Sequence, residues 1–260
     1  MPTAPLPVAV EREIRYANVL IRTANEAGRD EVGGALYNEL SERYRNIGVA
    51  FLLLDGDLDA FAHSLIDSAV TRRELLRRGL PDEPDYDVRA SFLAPVHDAL
   101  AVGQLGLAAE IGRLSPDVWY EDFEYEEDFL YARLLFGLAA DAPPAGLAAL
   151  ADRHEAALRG VDDPRTAVCR ALVARDAVAF VEAFEAFAEA EAARIAEARV
   201  ASYEFYDFQE VSVEGLALLK LAERAGLPTE REYRHCPAWA RREDYAPYVP
   251  QSFPEVALDA

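Results

Sequence analysis

Apolar residues recur along this chain at intervals of three and four, and Gly and Pro stand between the periodic stretches. No alternating apolar-polar run of strand length stands out, so the pattern predicts an all-α fold. A first helix is predicted over residues 8–27, with Ile14, Ala17, Val19, Leu20 and Ile21 on or near its inner face and Gly28 as its stop. A second covers 31–54, where Leu36, Leu40, Tyr44, Ile47, Phe51 and Leu52 continue an apolar stripe. Asp57 suits the N-cap of a third, which Gly79, Leu80 and Pro81 stop. After an acidic linker at 82–87 the pattern predicts a helix over 92–113 with Pro95 in its first turn, and a central one over 129–140. Shorter helices are predicted up to Leu158 and over 165–174. A long one over 176–200 turns Phe180, Phe184, Phe187 and Ile195 inward, and a last one ends at Gly226. Prolines 228, 237, 247, 250 and 254 then forbid long helices, so a tail at 227–260 is expected to lie extended over the helical body.

Two short patterns occur twice. Asp57-x-x-Ala60-Phe61-x-x-x-Leu65 is echoed by Asp176-x-x-Ala179-Phe180-x-x-x-Phe184, and Leu107-Ala108-x-x-x-Gly112 by Leu221-Ala222-x-x-x-Gly226. A tandem repeat would divide the single domain expected over 1–260 into stacked units at 1–116 and 117–226, with 227–260 as the tail. Generic capping and core spacing produce the same echoes without a repeat.

The chain is organised around residues 117–140, DVWYEDFEYEEDFLYARLLFGLAA. Its first half holds seven carboxylates (Asp117, Glu121, Asp122, Glu124, Glu126, Glu127, Asp128), four aromatics (Trp119, Tyr120, Phe123, Tyr125) and no Lys or Arg. Its second half carries one charge, Arg133, and a helix apolar all round is buried on most sides, which places it at the centre of the fold. The acidic half has two readings. One is a solvated loop with Asp128 capping the helix. The other is a docking surface for a basic partner, with Asp117, Trp119, Tyr120, Glu121, Asp122, Glu124, Glu126 and Glu127 as the partner-binding residues. A second acidic-aromatic segment lies at 203–210.

A chain of 260 residues with 52% hydrophobic and 10% aromatic content can bury a core large enough to need no staple. Its formal charge of -21 argues against nucleic acid as a partner, because that binding rests on Lys and Arg neutralising phosphates, and favours a basic protein. Cys169 and Cys236 form neither a CxxC pair nor a zinc spacing, which suits a reducing compartment. The N-terminal residues lack the features of a signal peptide, and no run approaches the ~18 apolar residues that cross a bilayer. A cytoplasmic protein with no membrane partner is expected. The oligomeric state is not legible.

His63 and the pair His97-Asp98 resemble the ligands of HD-type metal phosphohydrolases, in which a metal activates water against a phosphoester. No residue stands out as the fourth ligand or as a phosphate clamp. A nucleophile elbow, a glycine-rich phosphate loop and HExxH are all absent. The expectation is a non-enzyme with no catalytic residues, no metal and no cofactor.

The order of segments is similar to one family. HDALAVG at 97–103, DFLYAR at 128–133, DDPRTAVCRAL at 162–172, DAVAFVEAF at 176–184, and VEGLALLKLAERAGL before YRHCPAWAR resemble the family-49 immunity proteins of bacterial polymorphic toxin systems, over roughly 57–241. The resemblance implies an all-helical cytoplasmic protein that binds and neutralises a cognate toxin domain. An anionic surface would suit a basic toxin such as a nuclease. A helical-repeat adaptor that grips peptides or scaffolds an assembly, and the HD-type enzyme, are the alternatives.

Overall fold

Helix boundaries in the computed structural model follow local capping chemistry; the structure describes residues 6–81, 83–201, 207–229, 231–254 and 258. Among these are ten α-helices: α1 (Leu6–Ala27), α2 (Gly34–Asp55), α3 (Leu58–Arg77), α4 (Ala94–Ala101), α5 (Leu105–Leu114), α6 (Glu126–Ala139), α7 (Pro144–Ala157), α8 (Pro164–Ala174), α9 (Ala177–Ala201) and α10 (Val213–Ala225). Extended pairing among the described residues is limited to an isolated bridge between Tyr233 and Cys236. The fold is all-α.

Asp57 Oδ1 accepts the Ala60 amide at 2.9 Å to open α3, and Asp176 Oδ1 accepts the Val178 and Ala179 amides at 3.0 Å to open α9. The twin Asp-x-x-Ala-Phe patterns therefore both mark N-caps whose aromatic turns inward. Gly56 and Gly226 end α2 and α10 in the left-handed conformation.

Two predicted boundaries are corrected. The helix expected over 92–113 is two helices, because Gly103 (φ 75°) reverses the chain between α4 and α5. The apolar rhythm runs across the break because both helices face one core, with Leu100 and Ile111 buried on either side of it. The central helix starts at Glu126 rather than 129. Asp128 lies inside its first turn with Glu126 and Glu127, where carboxylates meet the positive end of the helix dipole, and Tyr125 holds the N-cap position.

One hydrophobic cluster runs from Ala9 to Phe253. α2 packs on α1 and α3, α10 on α4, and α8 on α9, while α6 lies between α5 and α7 with Leu130, Tyr131, Ala132, Leu134 and Leu135 buried. The N-terminal halves of α4, α6, α8 and α10 meet around Tyr131. The His97 ring is 6.5 Å from that of Tyr131, the Tyr131 hydroxyl donates to Glu214 at 2.8 Å, and the Arg165 guanidinium lies 4.6 Å from the Tyr131 ring centroid.

Beyond α10 the chain is bonded to several helices in turn. Lys220 of α10 pairs with Glu243 at 3.1 Å, and Tyr245 donates to the Val102 carbonyl at 3.0 Å. Asp67 of α3 accepts the Tyr248 hydroxyl and, at 2.9 Å, the Gln251 amide. Tyr44 of α2 donates to the Ser252 carbonyl at 2.8 Å, and Asn18 of α1 exchanges bonds of 3.1 and 2.8 Å with the backbone of Leu258.

Phe61 and Phe180 are fully buried, so Phe61→Ala and Phe180→Ala should each cost about 3 to 5 kcal/mol in denaturant unfolding. A loss below about 1 kcal/mol would place the side chain at the surface and the helix register out of step. Asp67 supplies a pH test. Burial pushes its carboxyl up to about 7, against the bonds from Tyr248 and Gln251, while an unfolded Asp titrates near about 3.9. Between those values the folded state holds a proton that the unfolded state has released, so stability from this group is complete below about pH 4 and lost as pH rises through about 7. Asp67→Asn should flatten the pH dependence of Tm across that window. Parallel profiles for parent and variant would mean that the carboxyl titrates alike in both states.

Candidate functional site

The two acidic segments on either side of α4 and α5 are brought together, and a buried arginine anchors one of them. Arg72 of α3, fully buried, donates to the Asn38 side-chain oxygen at 2.8 Å, to the Asp87 carbonyl, and to the Arg89 carbonyl at 2.8 Å. Its guanidinium lies 5.1 Å from the Phe92 ring centroid. Asn38 adds a bond to the Asp87 carbonyl at 3.0 Å, and Asp85 Oδ1 accepts the Asp87 amide at 2.9 Å to close a 3-10 turn at Tyr86–Val88. Burial, then Arg89, lowers the Arg72 pKa to about 9, while Asp87, Glu124 and Asp85 oppose the shift. The guanidinium stays charged at neutral pH, and the acidic residues around it act as its counter-charges.

The loop before α6 folds around Glu124. Its carboxylate accepts the Ser91 amide at 2.8 Å and the Tyr120 amide at 3.4 Å, and its carbonyl accepts the Trp119 indole N–H at 2.9 Å. Phe123 meets Tyr86 edge to face at 6.5 Å. Residues 83–87 and 117–125 thus form one surface, on which Glu83, Asp85, Asp117, Glu121 and Asp122 are exposed. Between them lie exposed Tyr86, Val118, Phe123 and Tyr125, the last with 73% of its area open.

Of the eight expected partner-binding residues, Asp117, Glu121 and Asp122 reach solvent freely. Trp119 and Tyr120 are half-buried against the core, Glu124 is engaged within the loop, and Glu126 and Glu127 sit half-buried in the first turn of α6. Burial chiefly, then Glu124, Asp117 and Asp85, raises the Tyr120 pKa, which registers how closely the two segments approach. Tyr86 and Tyr125 were missed as contact candidates. Tyr125 holds the N-cap position just ahead of α6, and Tyr86 joins this face through Phe123, a contact between residues distant in the chain. Asp82 and residues 203–206 lie outside the described residues.

The HD-type residues are held apart from any common centre. His63 Nε2 is 2.9 Å from the Ala246 carbonyl and its ring stacks on Tyr248 at 4.2 Å. Asp98, buried, accepts from Arg45 Nε at 2.6 Å and from Ser68. Burial raises the Asp98 pKa, and Arg45 and Ser68 draw it back. Among the described residues no three His, Cys, Asp or Glu side chains are grouped to hold a metal ion, and no helix is long and apolar enough to cross a membrane.

A family model described as Immunity protein 49 matches residues 90–240, more than half of the chain. The chain belongs to the immunity protein 49 family. No curated protein and no solved structure matches it. The region shared with immunity protein 49 spans α4 to α10 and the whole Glu124 loop, while Arg72 and residues 83–87 lie ahead of it.

In this immunity protein 49 chain, Arg72→Leu would take a donor from three oxygen acceptors, leaving the Asp87 carbonyl to Asn38 and the Arg89 carbonyl to the Phe92 amide, and should cost about 3 kcal/mol or more. Amide hydrogen exchange should quicken across 85–92 before it does in α6. Protection at 85–92 equal to the parent's would show that the loop stands without the guanidinium.

Proposed function

We propose that this immunity protein binds a cognate toxin domain through the surface made by residues 83–87 and 117–125, and neutralises it by covering its working face rather than by catalysis. The observation that carries this reading is the joining of two acidic segments by Glu124 and by the Tyr86–Phe123 contact into one exposed face. Exposed aromatics flanked by carboxylates are suited to a partner with a basic, partly apolar surface, since aromatic anchors dominate interface hot spots and complementary charge speeds encounter. A phosphate-binding cleft such as a nuclease carries has that character. Neutralisation of this kind needs no cofactor, and it protects the cell in whose cytoplasm the protein is made.

Charge and packing separate experimentally. Changing Asp117, Glu121 and Asp122 together to Lys leaves the bonds of Glu124 intact and should slow association with the cognate toxin domain. Tyr125→Ala should instead speed dissociation, by an amount worth about 2 kcal/mol if the ring is an anchor. Both variants should unfold like the parent and should protect toxin-expressing cells less well. Unchanged association, dissociation and survival would move the contact surface elsewhere on the molecule.

A further inference from the structure

A cavity of about 630 Å³ opens between α1, α2 and α4 on one side and α9 and α10 on the other. Its arginines are held by acids. Arg43 pairs with Glu13 at 2.9 Å and Glu42 at 3.3 Å, Arg45 with Asp98 at 2.6 Å, and Arg194 with Glu191 at 2.9 Å. Arg12 is also on the wall. Among the described residues the wall carries as many carboxylates, Glu13, Glu42, Glu191 and Glu214, as arginines, and Asp98 lies behind Arg45.

Glu214 is the one of these glutamates with no arginine bonded to it among the described residues. Its one direct hydrogen bond is from the uncharged Tyr131 hydroxyl, and no ion pair reaches it among the described residues. Arg165 acts on it only through space, being held by Asp163 at 2.7 Å. Burial raises the Glu214 pKa against Arg165 and Tyr131, the mark of a carboxylate without an adequate counter-charge. On the same wall His97 is buried, with Nε2 lacking a partner. Burial, with Arg45 and Arg165, drives its pKa well below the ordinary range, so the ring is neutral and offers a lone pair.

We propose that this cavity is a binding site for an organic cation, a guanidinium or primary ammonium group, neutralised by Glu214 and hydrogen-bonded to His97. Such a group brings several donors to two acceptors and supplies the missing counter-charge, whereas an anion would meet Glu214 as a like charge. The site is separate from the acidic-aromatic face and does not depend on the toxin reading.

Agmatine, spermidine and N-acetylarginine amide, added to the full chain, should each raise Tm and bind saturably in calorimetry. Glu214→Gln keeps an acceptor for Tyr131 and should weaken binding about 10- to 100-fold. Ala198→Trp, at a half-exposed wall position of α9, should block entry without touching a charge. If the capped arginine binds as well as agmatine, the source is a side chain of a protein partner. If agmatine or spermidine binds far better, it is a free amine. The proposal is overturned by a Tm rise with acetate or phosphate in place of the cations, by no response to any of the three cations, or by cation binding that persists in both variants.

Discussion

A guanidinium shut away from water is the constraint on which the acidic surface depends. Arg72 has lost its hydration, and its direct partners are an amide oxygen and two main-chain carbonyls rather than a carboxylate. These oxygens take up the two terminal nitrogens, while Nε has no partner, and carbonyl dipoles do not cancel the charge; that task falls to Asp85, Asp87 and Glu124 nearby. The same negative residues that give the face its potential therefore hold its scaffold in place. Glu124 does this twice, since it also ties the loop before α6 to the Ser91 backbone.

Much of the fold was legible because its signals are local. An Asp followed by an inward Phe marks both α3 and α9, and the nearly charge-free stretch after 128 could only be a central helix. The break at Gly103 was hidden because the helices on either side face one core, so the apolar rhythm carries on through a reversal that depends on backbone conformation. The acidic-aromatic character of 117–128 was equally plain, but which of its residues face outward was not. Trp119 looks like an interface anchor in sequence, yet its indole N–H is bound to a carbonyl five residues on. Whether a carboxylate is free or engaged is decided by partners distant in the chain, and one sequence does not display them.

The N-terminal halves of four helices meet around Tyr131, and the polar groups there differ in how completely they are matched. Arg165 and Asp163 satisfy each other at 2.7 Å. Asp98 takes Arg45 and Ser68 together, which ties α2, α3 and α4 into one register. Glu214 is left short of a counter-charge and His97 short of a partner. His154, whose ring stacks on Tyr131 at 5.9 Å, likewise has a buried Nε2 without a partner, and such unmatched groups cost more than the matched ones contribute.

The bonds between Asn18 and the backbone of Leu258 join positions 240 residues apart, and those of Tyr44 to Ser252 span 208. On a ribosome adding roughly 5 to 20 residues each second, α1 and α2 emerge long before these partners exist. α1 and α2 can pack on each other first, and the bonds of Asn18 and Tyr44 close once residues 252 and 258 have been translated. Contacts of such sequence separation close late and slowly. A chain ended ahead of residue 252 would leave Asn18 and Tyr44 without these partners.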